Sequence, residues 1–175
     1  MATEPWEVNA PVAAKRLGAR GIPVVRANSL RLPFRDEQFD LVLNRHEELD
    51  PADTARVVAA GGRVLTQQVH PDDWKELRDF FPRMTDFGPH FDLYREGFER
   101  AGLRIVQALM HERPVAYYLG DLVYMLVAAP WTIPDFDLDR DLDALLAVER
   151  TLGRPEGIVF TEKRYLIEAE RPGTF

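Results

Sequence analysis

The chain has 175 residues and no cysteine, which excludes disulfide bonds and thiolate metal sites and suits a reducing cytoplasm. Long hydrophobic runs are also missing. The longest uncharged stretch, 122–134, contains two prolines and is shorter than the about 20 residues that a bilayer crossing needs, so we expect no membrane partner. The 22 basic residues are outnumbered by 29 acidic ones, which disfavours a nucleic-acid partner. The opening residues lack the pattern of a secretory signal.

The residues that are present, 46% hydrophobic and 29% charged, are enough for one domain with a real core over residues 1–175. The order of the predicted elements makes it an α/β domain. The spacing of apolar residues, together with Gly, Pro and Asp residues that mark the ends of elements, predicts alternating helices and strands in the first half. These are a helix around 8–17, a strand at 23–26, a buried strand at 39–43, a helix at 51–58 capped by Asp50, and a strand at 63–69. The alternation indicates a parallel sheet.

The second half continues with helices and strands. The predicted elements are a helix carrying Trp74, Leu77, Phe80 and Phe81, a helix from Tyr94 to Ala101, a strand at 103–108, a helix from Leu138 to Leu152, and a strand at 158–169. Helix ends are marked by Pro82, Gly102 and Gly153.

The segment between the second and third predicted strands is the most informative. It contains Leu32-Pro33-Phe34 and then Phe39-Asp40-Leu41-Val42. This layout resembles the middle of class I S-adenosylmethionine-dependent methyltransferases of the type 11 kind. The resemblance implies a Rossmann-like parallel sheet that ends in an antiparallel strand, and it implies S-adenosylmethionine as cofactor.

The chain departs from that family at its start. The family opens with a strand and a loop near D-x-G-x-G-x-G, which approaches the methionine part of the cofactor. No two glycines of this chain are spaced as G-x-G. The opening Ala2-Thr3-Glu4-Pro5-Trp6 resembles the end of the family's second strand instead. The resemblance therefore implies an N-terminally truncated methyltransferase, and we expect the exposed strand edge to favour self-association into a homo-oligomer.

The resemblance also implies five cofactor-binding residues. Glu4 would accept hydrogen bonds from the ribose hydroxyls, and Trp6 would cover the adenine ring. Asn28 would accept from the adenine amino group, Ser29 would offer its backbone N–H to a ring nitrogen, and Asn44 would border the cofactor at a strand exit. Each residue also has an ordinary alternative: a solvated glutamate, a core or helix-staple tryptophan, or turn and loop residues.

The sequence indicates less about catalysis than about cofactor binding. Methyl transfer depends mainly on aligning the acceptor with the methyl group, and a base is needed only if the acceptor must lose a proton. His46 and His70 are weak candidates for that base, because both follow predicted strands. Ordinary loop histidines are the alternative. No spacing of histidines and carboxylates indicates a metal site.

The acceptor would meet a substrate-covering insertion at about 71–95, which is rich in aromatic residues; core packing is the alternative for most of them. Three functions remain open. The first is methyl transfer to a small or medium-sized acceptor. The second is a catalytically inactive methyltransferase-like domain that serves binding or assembly. The third, a nicotinamide-dependent Rossmann enzyme, agrees less well with the Leu-Pro-Phe motif and with the antiparallel-looking end.

Overall fold

A computed structural model describes residues 1–88 and 90–173. Within this part of the chain the strands are β1 (Ala2–Thr3), β2 (Val24–Val25), β3 (Phe39–Arg45), β4 (Val58–Val69), β5 (Arg104–Tyr117), β6 (Gly153–Arg154) and β7 (Gly157–Glu170). The helices are α1 (Asn9–Gly18), α2 (Pro51–Val57), α3 (His90–Arg100), α4 (Leu119–Ala128) and α5 (Leu142–Leu152), with one short 3-10 helix at Lys75–Asp79. The α/β class predicted from the sequence is confirmed.

The strands form two sheets. β1 and β2 pair in parallel, with Ala2 opposite Val24 and Thr3 opposite Val25. A five-stranded sheet has the order β3-β4-β7-β5, and β6 pairs with β7. β3 and β4 are parallel, while β6 and β7 form an antiparallel pair.

The last long strand runs against its neighbours. Gly61 donates its backbone N–H to the Arg171 carbonyl at 2.9 Å, and Arg63 meets Glu168 at 2.6 Å. As the residue numbers rise along β4, the residue numbers of their partners in β7 fall, so the two strands are antiparallel. Arg104 of β5 meets Glu170 and Arg113 meets Glu162, so β5 and β7 are antiparallel as well. The expected antiparallel strand at the C-terminal end of a parallel sheet is therefore confirmed.

The chain divides into two compact units. The first contains Met1–Gln68, Phe91–Leu109 and the residues from Leu166, and the second contains Val69–His90 and Met110–Tyr165. The buried side chains of the first unit include Val57, Val64, Phe98 and Ile167. Neither the single domain over 1–175 nor the insertion at 71–95 is decided by this division, and both stay predictions.

The second unit has an aromatic core. Trp74 stacks on Phe160 and meets Tyr117 edge to face, and Phe81 is fully buried in the same cluster. Tyr124 and Trp131, in contrast, are well exposed. The alternative of core packing is thus confirmed for Trp74 and Phe81.

Local chemistry explains the ends of several helices. Asp50 accepts a hydrogen bond from the Asp53 amide at 2.6 Å, and Pro51 occupies the first turn, as the sequence predicts. The helix predicted around Trp74 is wrong in extent: only a 3-10 helix forms, because Trp74 takes a left-handed backbone conformation that an α-helix cannot include. The helix predicted from Leu138 begins only at Leu142.

The prediction of a buried strand at 39–43 is also wrong. β3 forms, but Leu41 and Leu43 are 55% and 67% exposed. β3 is at the end of the sheet order and has β4 as its only neighbour among the described residues. An apolar strand becomes buried only when a neighbour covers each edge and each face, and here one edge lacks that neighbour.

Candidate functional site

Three strands of the first unit end near polar residues that the sequence analysis predicted to bind the cofactor. Glu4 follows β1, Asn28 and Ser29 follow β2, and Asn44 lies near the end of β3. Open α/β sheets bind ligands beyond the carboxyl ends of their parallel strands. These strand exits are therefore the candidate cofactor site.

Glu4 is held in a local turn. Its backbone N–H donates to the Val25 carbonyl at 3.1 Å, which ties it to the parallel partner β2. Its side-chain Oε1 accepts the Trp6 amide at 2.9 Å, while Trp6 itself is 57% exposed. One carboxylate oxygen is thus used by the turn, and a carboxylate has a second oxygen that can accept further hydrogen bonds. The exposed Trp6 does not fit the alternative of a core tryptophan.

Asn28 and Ser29 have different environments. Asn28 is exposed, and its Oδ1 accepts the Leu30 amide at 2.8 Å in an Asx turn, so its ordinary turn role is realised. Ser29 is buried, and its Oγ donates to the Glu48 carbonyl at 2.5 Å. The Ser29 side chain thereby fixes the β2 exit against the loop that follows β3.

Asn44 belongs to a polar network that the sequence reasoning missed. Its Oδ1 accepts from Thr66 Oγ1 at 3.0 Å and from Gln68 Nε2 at 2.5 Å. Gln68 Nε2 also lies 2.8 Å from the Glu47 carbonyl, and both Thr66 and Gln68 are buried. The network orients Asn44 rigidly, because buried polar groups with several partners lose most of their rotational freedom. The polar run 66–68 at the end of an otherwise apolar strand was the signal for it.

A cavity of about 330 Å³ lies beside these exits in the first unit. Ser29 and Asn44 are among its lining residues, whereas Glu4, Trp6 and Asn28 are not. Most of the lining is apolar and comes from β1, β3 and the segment between β2 and β3. The structure therefore brings Ser29 and Asn44 to one cavity and leaves the other three at the strand exits outside it.

An arginine holds the wall of this cavity in place. Arg56 on α2 donates to the Leu32 carbonyl at 2.9 Å, to the Phe34 carbonyl at 2.7 Å, and to Asp53 at 2.8 Å. Partial burial alone would raise the pKa of Asp53, but hydrogen bonds from Arg56 and the Leu32 amide outweigh it, and the pKa lies below its usual value. Asp53 stays ionised and fixes Arg56.

The two candidate bases lie in different units. His46 follows β3, has a left-handed backbone, and donates its N–H to the Gln67 carbonyl at 2.9 Å. His70 belongs to the second unit, where its Nδ1 accepts the Asp72 amide at 3.0 Å. Burial lowers the pKa of His70, and the Lys163 charge lowers it further, so the neutral form dominates at pH 7. The base assignment stays a prediction.

No helix in the described part of the chain combines the length and the apolar character needed to cross a membrane.

Sequence comparison identifies no match: no family model fits the chain, and no curated protein matches it. Comparison with solved structures does find neighbours. A proposed methyltransferase of Bacillus halodurans has a TM-score of 0.64 at 16% identity, covering 97% of this chain and 81% of its own. The YcgJ protein of Bacillus subtilis has a TM-score of 0.61 at 16% identity, covering 98% and 82%.

A third neighbour is geranyl diphosphate methyltransferase, solved with S-adenosylmethionine, with a TM-score of 0.54 at 16% identity over 97% of this chain and 67% of its own. At this level of identity the likeness concerns the fold. The chain has the fold of the class I S-adenosylmethionine-dependent methyltransferases.

Proposed function

We propose that this chain belongs to an S-adenosylmethionine-dependent methyltransferase that transfers a methyl group to a small or medium-sized acceptor in the cytoplasm. The observation that carries the proposal is the placement of polar residues at the carboxyl ends of β1, β2 and β3 in a chain with the methyltransferase fold. The neighbour solved with S-adenosylmethionine supports the cofactor. When bound, the cofactor supplies a methyl group on a sulfonium, which an aligned nucleophile displaces.

The residues fit the adenosine part of this cofactor. The second Glu4 carboxylate oxygen can accept from a ribose hydroxyl, and the Asn28 and Ser29 backbone lies at the next strand exit. Trp6 offers an exposed aromatic face for the adenine ring. For the methionine part the 175 residues contain no G-x-G loop. We therefore expect millimolar rather than micromolar affinity, since three lost charge-assisted hydrogen bonds weaken binding by about 4 kcal/mol.

The decisive variant is Glu4→Ala. It should weaken binding by about 1–3 kcal/mol, because a charge-assisted hydrogen bond to ribose is lost. Ligand-detected NMR with millimolar S-adenosylmethionine measures this, with circular dichroism to verify the fold. Glu7→Ala is the matched control, since Glu7 is an exposed glutamate of the same loop, and it pairs with Arg26 at 3.0 Å. Equal affinity for both variants would refute the ribose assignment.

A catalytically inactive binding or assembly domain is the second candidate. It is favoured by the absence of a G-x-G spacing from the 175 residues. The fold is also similar to that of a protein named for a reaction other than methyl transfer, the [4+2]-cyclase SpnF, with a TM-score of 0.57 at 16% identity over 98% of this chain and 66% of its own. This candidate would be favoured if no binding is detected at S-adenosylmethionine concentrations about 10 to 20 times the expected dissociation constant.

A further inference from the structure

Helix α4 has one side that the second unit does not cover. Leu122 and Leu126 are buried in the core of that unit. The opposite side of the helix is exposed, at Gly120, Tyr124, Val127 and Ala128. Their spacing of three and four residues places these side chains together on one side of the helix. We call these four residues the α4 face.

The α4 face is apolar and has the composition of a protein interface. Tyr124 is 71% exposed and Val127 is 63% exposed, with the exposed Met125 beside them. Trp131, just past the end of the helix, is 59% exposed, and its carbonyl accepts a hydrogen bond from Thr85 Oγ1 at 2.5 Å. Tyrosine, tryptophan and methionine are enriched where proteins meet one another, and apolar patches of contiguous residues mark such sites.

The charges around the α4 face narrow the choice of occupant. Asp121, at the margin of the face, is the only charged residue of α4, and no lysine or arginine occurs between Arg113 and Arg140. Helices that lie on anionic membranes carry lysine and arginine on their polar side, and nucleic acids also require basic residues. A strongly charged protein surface would lose its hydration here without gaining a counter-charge. The face therefore fits a surface that is itself uncharged and apolar.

The α4 face of a second copy meets this requirement. Gly120 and Ala128 lie one turn before and one turn after Tyr124, along a single row of residues spaced by four. If two such helices run antiparallel across a two-fold axis at Tyr124, each Tyr124 lies beside its own copy, and the two rings can stack with an offset. The small residues on either side let the helix axes approach to about 8–10 Å.

The exposed area is enough for a dimer of moderate affinity. Large aromatic side chains offer about 150–250 Å² each, so Tyr124 and Trp131 together expose about 200–300 Å² at these fractions. Val127, Met125 and Ala128 bring the patch to about 500 Å² per copy, or about 1,000 Å² for the pair, near the lower limit of a specific interface. A dimer that dissociates in the micromolar range is the expected result.

We propose that two copies of this chain associate through their α4 faces, antiparallel about a two-fold axis at Tyr124. Self-complementary patches of this kind generate the two-fold dimers that are the commonest oligomers. The contact uses only residues of the second unit and no strand edge. It does not depend on whether the chain binds S-adenosylmethionine.

A charge exchange at the axis tests the proposal. Sedimentation velocity over a concentration series should show the original chain passing from monomer to dimer. Tyr124→Asp should weaken dimerisation by at least about 30-fold, because two carboxylates then lie side by side in place of a central aromatic contact. Tyr124→Arg should weaken it in the same way. An equimolar mixture of the two variants should associate at least about tenfold more tightly than either alone, since opposite charges then meet on the axis.

Tyr118→Asp is the matched control for Tyr124→Asp. Tyr118 is as exposed as Tyr124, but it precedes α4 at the N-cap and lies outside the row of residues spaced by four. The control variant should dimerise within about threefold of the original chain, because it leaves the axis intact. Circular dichroism verifies that each variant is folded.

The absence of cysteine from the chain allows a second measurement. Under mild oxidation Tyr124→Cys should form a disulfide between copies, because the axis brings the two Cα atoms within the about 4.4–6.8 Å that this bond requires. Tyr118→Cys should stay reduced.

Three results would overturn the proposal. The first is an original chain that stays monomeric throughout the concentration series. The second is equal weakening by the Tyr118 and Tyr124 variants, and the third is no recovery in the mixture. If a charged variant does not fold, the two cysteine variants decide, and equal cross-linking of both would overturn the two-fold contact.

Discussion

The two edge strands of the five-stranded sheet, β3 and β5, differ in how they are protected against an additional strand. β5 carries Glu112, Arg113 and Pro114 in succession, all exposed. Charges and proline are common devices that keep an edge strand from pairing with another chain. β3 instead has the uncharged run 41–44 at its centre, with its charged residues, Asp40 and Arg45, near the ends.

The two edges do not differ in whether they expose apolar residues. Val106, Leu109 and Met110 of β5 are also exposed, between 39% and 51%. Those residues precede a segment whose charges and proline oppose pairing. The β3 edge combines exposed leucines with an uncharged run that borders a cavity. The protection of the two edges therefore differs in charge and in proline.

The largest effect should come from Arg56→Ala. The arginine that holds the wall of the cavity beside β3 should contribute strongly to stability, while an arginine on the β5 edge should not. Arg56 bonds two backbone carbonyls and Asp53, so we expect a loss of about 2–4 kcal/mol in the free energy of unfolding.

Arg104→Ala on β5 is the matched control for Arg56→Ala. Arg104 meets Glu170 at 3.3 Å with 64% of its side chain exposed, so its loss should cost less than about 1 kcal/mol. Urea unfolding of both variants measures the difference. Equal losses would show that the wall of the cavity is no better fixed than the opposite edge of the sheet.

A smaller effect is expected on the closed side of β3. A Cβ at Gly62 would lie 2.9 Å from the Ala59 carbonyl and 3.0 Å from the Asp40 and Phe39 carbonyls. Gly62→Ala should therefore cost about 1–3 kcal/mol, since backbone atoms must move. Gly120→Ala, where the added Cβ meets nothing within 4 Å in α4, should be neutral or stabilising by up to about 1 kcal/mol.

Thermal and urea unfolding of the two glycine variants test how closely β4 fits β3. If the Gly62→Ala protein is as stable as the original, the packing of β4 against β3 is loose enough to accommodate an extra methyl group. The contrast between the closed edge of β3 and its open edge would then disappear.

Sequence reasoning predicted the features that depend on neighbours along the chain. The cap of Asp50 on α2 and the final strand depend on local spacing and on turn residues, and both are confirmed. Helix α4 was not predicted, because it is apolar on nearly all sides and its sequence has no helical periodicity to detect. The exposure of β3 could not be predicted either, because the burial of a strand depends on which elements lie beside it, and that is a property of the whole sheet.

The candidate site shows the same limit. Strand exits could be located from the end of each apolar run, which led to Asn44. Its partners could not be identified, since Thr66 and Gln68 reach Asn44 only through the parallel register that pairs Asn44 with Thr66. Whether Glu4, Asn28 and Ser29 hold a cofactor stays a prediction, because their hydrogen bonds within the protein serve the turns of the strand exits.

The smallest effect concerns the protection of β5. Pro114→Val restores a backbone N–H to this edge and adds a β-branched side chain, so the edge should gain the ability to pair with another copy. The free energy of unfolding should change by no more than about 0.5 kcal/mol, as for most exposed substitutions. Sedimentation velocity over a concentration series should show a rise in the average mass.

Ala116→Val is the matched control for Pro114→Val, because it adds the same side chain two residues along the strand, at an exposed position that already has an N–H. It should leave the mass unchanged. If both variants associate equally, added apolar surface is the cause and proline is not the protecting device. If neither associates, the charges at Glu112 and Arg113 are sufficient, and the contrast between β3 and β5 depends on charge alone.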